Sequence, residues 1–207
     1  MMPFSKDWVE RKLPRWRRWF GHLAGRAGLR ILEIGVYEGR SAVYWLTELA
    51  TASSARVDLV DPWGGPKGEE PYHRTLANLA ESDRRARATV SREASMEFLL
   101  RSPPNRYDLI YIDGGHEGRA ALADSLLACR TLKPAGLLLW DDYGWDEFQG
   151  TQRPPRPAID AFLDLHGDQL ELIHKDWQAL VRKMPRAVTG TLPRSARYPR
   201  NPGNDGP

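Results

Sequence analysis

The sequence predicts an α/β fold, a doubly wound, seven-stranded and mostly parallel sheet with helices on both faces and an antiparallel last strand pair. Three observations carry this expectation. Short apolar runs alternate with helical patterns, as strands buried on both faces require. The first run, Ile31, Leu32, Ile34 and Val36, breaks at Glu33-x-Gly35-x-x-x-Gly39, and a helical apolar pattern (Val43, Leu46, Leu49, Ala50) follows at once. The chain then closes with two runs, Leu170–His174 and Gln178–Lys183, that read as an antiparallel pair.

A chain of 207 residues fits one domain with a substantial core. No apolar run is long enough to span a bilayer, and no apolar block of a signal peptide opens the chain, so a cytoplasmic location is expected. The single cysteine, Cys129, excludes a disulfide framework. It falls in a helical pattern with Leu122, Leu126 and Leu132 and reads as a small buried hydrophobe, not a catalytic thiol. The net charge of +3 hides a split. Residues 1–30 carry eight Lys/Arg against two acids, whereas residues 31–183 carry 18 basic and 24 acidic residues. The basic surplus belongs to the ends, and the acidic body argues against a nucleic-acid groove.

Residues 1–28 read as an arm or lid rich in Trp and Arg. Pro14 divides it into two short helical pieces, and Trp16, Trp19 and Phe20 make one apolar face. That face packs on the domain or on a partner, and an exposed Trp-rich arm would favour a homo-oligomer. Residues 29–184 form the main domain. Strand, glycine turn and helix at Leu29–Ala50 let a bulky ligand approach bare backbone at a helix start. Arg56–Trp63 is the second strand and ends at Asp61, about twenty residues after the glycine turn. There an acid accepts hydrogen bonds from ribose hydroxyls. Tyr72–Arg87 reads as a charged helix with His73 on its surface, and Ala88–Arg92 as a third strand. Ser95 is expected to cap the helix Met96–Leu100.

Tyr107–Asp113 is the next strand, followed by Gly114-Gly115-His116. A helix with Leu122, Leu126, Leu127 and Cys129 on its apolar side runs to Leu132. Lys133-Pro134-Ala135-Gly136 turns into the strand Leu137–Asp142. Residues 144–157 are expected to form a mobile active-site loop, Ala158–His166 a helix, and residues 185–207 a disordered tail. His22, His166 and His174 read as structural or solvated. If the strands at Tyr107 and Leu137 are neighbours, Asp113, Asp141 and Asp142 meet at one sheet edge beside His116. Three clustered carboxylates repel unless a cation neutralises them, and an all-oxygen set suits Mg²⁺ or another hard divalent ion. Turn-capping surface aspartates are the plain alternative, above all for Asp142.

The glycine turn resembles motif I of the class I S-adenosylmethionine-dependent methyltransferases, with their Rossmann-like sheet. The block from Tyr107 to Asp142 resembles the same family, Ala135 replacing one glycine of its KPGG-like turn. Ala94 stands where many relatives carry an acid, with Glu93 one residue before it. Asp113-x-x-His116 and Asp141-Asp142-Tyr143 resemble the macrocin and mycinamicin type of metal-dependent small-molecule O-methyltransferases. The resemblance covers roughly residues 29–166, allowing a boundary error of a few residues. It implies S-adenosylmethionine held by Glu33, Gly35, Gly39, Ser41, Asp61, Ser95 and Asp113. It further implies Mg²⁺ on Asp113, Asp141 and Asp142, with His116, alongside Asp113, as the catalytic base. The expected acceptor is a small hydroxylated molecule.

Other readings stay open at this stage. One is a metal-free O- or N-methyltransferase, and another is an adenosyl-binding protein whose basic arm contacts RNA or a partner. A nicotinamide-dependent dehydrogenase is weaker, because its G-x-G-x-x-G spacing is missing.

Overall fold

The computed structural model describes residues 4–64, 69–82, 84–145 and 154–185. In chain order these form α1 (Leu13–Phe20), β1 (Arg30–Ile34), α2 (Arg40–Tyr44), β2 (Arg56–Val60), α3 (Glu70–Glu81), β3 (Ala88–Ser91) and α4 (Ser95–Arg101). Then follow β4 (Tyr107–Ile112), α5 (Gly118–Thr131), β5 (Leu132–Trp140), α6 (Pro155–Leu165), β6 (Leu170–Lys175) and β7 (Ala179–Lys183). The seven strands form one sheet in the order β3-β2-β1-β4-β5-β7-β6. β1 to β5 are parallel, and β7 runs antiparallel to both β5 and β6.

Strand order reverses between β1 and β4, so a crevice opens at their carboxyl ends, where open α/β sheets bind ligands. Both faces of the sheet are covered. Ile31, Leu109, Leu137 and Leu139 pack under α1 and α2, and Leu32, Ile110, Leu138 and Trp140 pack under α5 and α6. This alternation follows the two-residue period of a strand.

The arm packs on the domain's own core. Trp16 and Phe20 are fully buried, and the Trp16 ring stacks on Trp45 at 4.6 Å. The exposed apolar arm is therefore corrected: of its aromatic residues only Trp8 is largely exposed, at 56%. Pro14 sits in the first turn of α1, after a 3₁₀ turn over Glu10–Lys12, where its missing N–H is harmless.

Several local expectations shift. The helix expected over Tyr72–Arg87 stops at Glu81, and a 3₁₀ turn covers Arg85–Arg87. The first-motif helix is only five residues of α-helix and continues as a π-turn over Trp45–Leu49. The turn at residues 133–136 is a bulge within β5: Tyr107 pairs with Leu132, yet Leu109 pairs with Leu137. Ala135 takes φ +63° there, the conformation that favours glycine. In α5 the side chains of Ala121, Ser125, Ala128 and Cys129 face inward, whereas Leu126 is 46% exposed. Small residues let the helix lie close, and Ser125 accepts the indole N–H of Trp140 at 2.9 Å. Burial pushes the Cys129 thiol up, as an inert thiol requires. Among the described residues no helix is long and apolar enough to cross a membrane. Residues 146–153 of the expected active-site loop, and residues 186–207 of the expected tail, lie outside the described residues.

Candidate active site

The glycine turn after β1 is forced by backbone proximity. Gly35 has φ +83°, and a Cβ there would lie 2.0 Å from the carbonyl oxygen of Asp113. No other residue fits that contact. Gly39, at φ +79°, starts α2 against Thr75.

Three aspartates stand one residue past their strands, each still held by the ladder. The N–H of Asp61 donates to Ser91, that of Asp113 to Ile34, and that of Asp141 to Ile112. Regular parallel pairing therefore brings these carboxylates to one edge. Asp61 accepts from the N–H groups of Val36 (2.8 Å) and Tyr37 (3.0 Å) through one oxygen, and from Trp63 (2.6 Å) through the other. It ties the glycine turn to β2, and Oδ1, with one donor, keeps a further lone pair.

A cavity of about 870 Å³ opens over this edge, within the size range of small-molecule sites. Gly35, Ser41, Asp61, Ser95, Asp113 and His116 all line it, as do Asp141 and Asp142. Gly39 and Glu33 do not. Glu33 is fully buried, accepts a hydrogen bond from the Ser41 hydroxyl, and reaches the cavity only through Ser41. Burial pushes its pKa up to about 8, against smaller opposing effects of Ser41 and Trp45.

Ser95 does not cap α4. Ala94, in an extended conformation, is the N-cap, and its carbonyl accepts from Phe98. The Ser95 hydroxyl instead donates to Asp124 at 2.7 Å. Asp124 itself lines the cavity, and burial pushes its carboxyl up to about 6. Glu93 pairs with Arg101, while Ala94 faces the cavity.

The acidic edge differs from the expected three-aspartate set. Asp113, His116 and Asp142 each offer one ligand atom, all within 4.8 Å of one another. His116 Nδ1 lies 2.5 Å from Asp142 Oδ2, and the Trp145 ring stands edge-on to the imidazole at 4.5 Å. Asp141 does not join them. It is 4% exposed, its Oδ2 accepts from the Lys12 ammonium, and its Oδ1 accepts from Gln178 Nε2 at 2.5 Å. Of the three expected aspartates, Asp141 is held by two side chains from outside the parallel sheet, Lys12 and Gln178. Asp142, the residue most easily read as a turn cap, is the one that meets His116. Burial raises Asp113 well above the usual carboxylate range, with Asp141 and Asp142 adding to it and Lys12 opposing.

The arm, expected as a lid, contributes Trp8 and Lys12 to the cavity wall, and the β6–β7 turn contributes Trp177, which sequence reasoning missed. Ser5 binds the buried Glu38 by its N–H (2.7 Å) and hydroxyl (2.6 Å). Arg40 reaches Asp7 (2.9 Å) and Glu10 (2.8 Å). These contacts place Trp8 and Lys12 along the cavity, opposite no motif that spacing could reveal. Gln178 links the Trp16 indole (3.2 Å) to Asp141.

In this doubly wound sheet a bare glycine turn, an acid after β2 and a carboxylate–imidazole edge thus meet in one cavity at the carboxyl ends of the strands. Residues 32–143 match the family described as "Methyltransferase domain", and the chain belongs to that family. It is a methyltransferase, an enzyme that transfers one-carbon groups. The fold is shared with an O-methyltransferase of Bacillus cereus in complex with S-adenosylhomocysteine, at 16% identity and TM-score 0.59, covering 88% of this chain and 93% of that one. It is shared also with the O-methyltransferase TomG of Streptomyces achromogenes, involved in tomaymycin synthesis and bound to S-adenosylmethionine. The identity there is 14% and the TM-score 0.58, over 89% of this chain and 93% of that one. A Klebsiella pneumoniae protein described as an O-methyltransferase is 18% identical, with TM-score 0.64 over 88% of this chain and 84% of that one. No curated protein is similar enough in sequence to match.

Proposed function

We propose that this methyltransferase moves the methyl group of S-adenosylmethionine to a hydroxyl of a small molecule, with His116 as general base. The observation that carries the reading is the 2.5 Å contact of His116 Nδ1 with Asp142, inside the cavity that Gly35 and Asp61 also line. A carboxylate can only accept, so Nδ1 holds the proton and Nε2 is left as the basic nitrogen. The donor fits the chain's own features: bare backbone at Gly35, a fixed carboxylate at Asp61, and small residues at Ala94 and Ser95 leaving room for a flat ring. S-adenosylmethionine supplies an electrophilic methyl on a sulfonium and departs as the neutral thioether.

His116 takes the hydroxyl proton as the new C–O bond forms and passes it to solvent, and Asp142 keeps the imidazole oriented and stabilises its protonated form. The buried edge aligns acceptor and donor, the main task in an in-line displacement. Asp113 and Asp142 would hold a divalent cation, which would lower the pKa of the acceptor hydroxyl and leave His116 Nε2 free as the base. A carboxylate pair suits Mg²⁺, Mn²⁺ or another hard divalent ion. A metal-free enzyme is the second reading, favoured by the Lys12 ammonium already neutralising Asp141.

Calorimetric titration with S-adenosylhomocysteine, with NAD as control, tests the donor. Binding of the first alone supports the reading, and binding of neither overturns it. The base is tested by His116→Gln, which is expected to lower kcat and leave the donor-product affinity unchanged.

A further inference from the structure

Beside the main cavity lies a second one of about 360 Å³, and the two share Trp8, Lys12 and Trp177 as a common wall. Arg11, Arg15 and Gln178 complete the second cavity. Two features of its lining need an explanation. Its aromatic walls are exposed, Trp8 by 56% and Trp177 by 53%. Yet both are held in place. The Trp177 carbonyl accepts from Gly144 at 2.8 Å, and a Cβ on Gly144 would lie 2.8 Å from Trp177 Cα. The Trp8 ring rests against Tyr37 at 5.4 Å, and Asp7 beside it accepts from Val9 and Glu10. Large rings fixed in water leave apolar area that a ligand could cover.

The charges are unbalanced. Lys12 is neutralised by Asp141, and Arg15 by Asp176 at 3.1 Å with His174 beside it. Arg11 has no acidic partner among the described residues. Lys6, on the main cavity's side of Trp8, has none either, and its ammonium lies 5.5 Å from that ring. The second cavity thus holds a surplus positive charge between two indoles. A guanidinium offers a planar fork that matches a carboxylate or phosphate.

The geometry points to an acceptor subsite: the cavity of Arg11, Arg15, Trp8 and Trp177 takes the anionic end of a ring-bearing methyl acceptor, as a carboxylate or a phosphate. This rests on the proposed function, for the acceptor's hydroxyl lies at His116 in the main cavity while its anionic end lies past Lys12. The acidic body of the chain makes such a cationic recess a selective feature for an anion.

The test uses the full chain loaded with S-adenosylhomocysteine and three probes that share one ring: phenylacetate, phenyl phosphate and the uncharged 2-phenylethanol. Each is titrated while the indole N–H signals are followed by NMR. At least one anion is expected to bind about tenfold more tightly than the alcohol, a factor typical of a single charge-assisted hydrogen bond. The tighter anion identifies the preferred group. Arg11→Gln is expected to abolish the preference with S-adenosylhomocysteine affinity unchanged, and Trp177→Ala to weaken all three probes alike. Equal binding of the three probes, no binding of either anion, or a preference that survives Arg11→Gln overturns the subsite. Failure of S-adenosylhomocysteine to bind overturns the donor assignment instead, and the same titrations on unloaded protein then still judge the cavity.

Discussion

Lys12, in the arm, forms a salt bridge with Asp141, the first residue beyond β5, so the N-terminal segment is bolted to the acidic edge of the sheet. Both side chains are largely shielded from water, at 16% and 6% exposure. Removing one partner leaves a buried charge with a single hydrogen bond from Gln178. Lys12→Met is therefore expected to cost about 3 kcal/mol, the usual penalty for breaking a shielded pair. Urea denaturation measures it. Adding Asp141→Asn should restore part of the loss, and strict additivity of the two changes would refute the coupling.

Gly35→Ala is expected to distort the site. The added methyl meets the Asp113 carbonyl in a backbone conformation that alanine resists. Neither contact partner is a flexible side-chain end. S-adenosylhomocysteine affinity should fall at least tenfold, with a stability loss of about 2 kcal/mol. Calorimetry and thermal melting read the two effects, and normal binding would contradict the close approach.

Glu33 makes stability depend on pH. Its carboxyl rises from the ordinary 4.5 to about 8 because it is buried, so the folded protein keeps a proton that the unfolded chain releases. The stability it contributes is full below pH 4.5 and is lost as pH climbs to about 8, by up to about 1.4 kcal/mol per pH unit. Asp124 adds the same sign between 3.8 and about 6. Glu33→Gln should flatten the loss above pH 6 and make the variant the more stable protein at pH 8. Urea midpoints at pH 5, 6.5 and 8, chosen to bracket the window, would show no such convergence if Glu33 were ionised in the fold.

His116 and Asp142 act as a unit in the proposed chemistry. His116→Gln should lower kcat by about 10²–10⁴, the range of general-base catalysis. Asp142→Asn should lower it too, because the imidazole loses the carboxylate that accepts from Nδ1 and orients the ring. An unchanged kcat in Asp142→Asn would remove that residue from the dyad.

Metal binding separates the three aspartates. Titration of Mn²⁺ into the protein is expected to show one site, lost in Asp113→Asn and in Asp142→Asn and kept in Asp141→Asn. Loss in Asp141→Asn as well would restore the all-oxygen site, and the absence of any heat in wild type would favour the metal-free reading.

Much of this was legible in the letters. The short apolar runs placed β1, β2 and β4 because a parallel strand buried on both faces tolerates little else. Gly35 stood out because its position demands a missing side chain. Asp61, Asp113 and Asp141 were readable as strand ends, and parallel pairing brings strand ends together whatever the intervening chain. The antiparallel β6 and β7 also announced themselves by two short runs around a polar turn.

What the letters could not supply is long-range partnership between polar groups. Nothing in spacing tells Asp141 from Asp142, which are adjacent and chemically identical. The sheet turns them to different sides, one toward Lys12 and Gln178 and the other toward His116. The same holds for Ser95, which looks like a cap until Ala94 takes the extended conformation and Asp124, 29 residues on, accepts its hydroxyl. Apolar burial is periodic and local, so sequence alone determined the sheet, the glycine turn and the acidic edge. A hydrogen bond depends on directions between distant elements, so only the tertiary structure decided which acid serves the histidine and which anchors the arm.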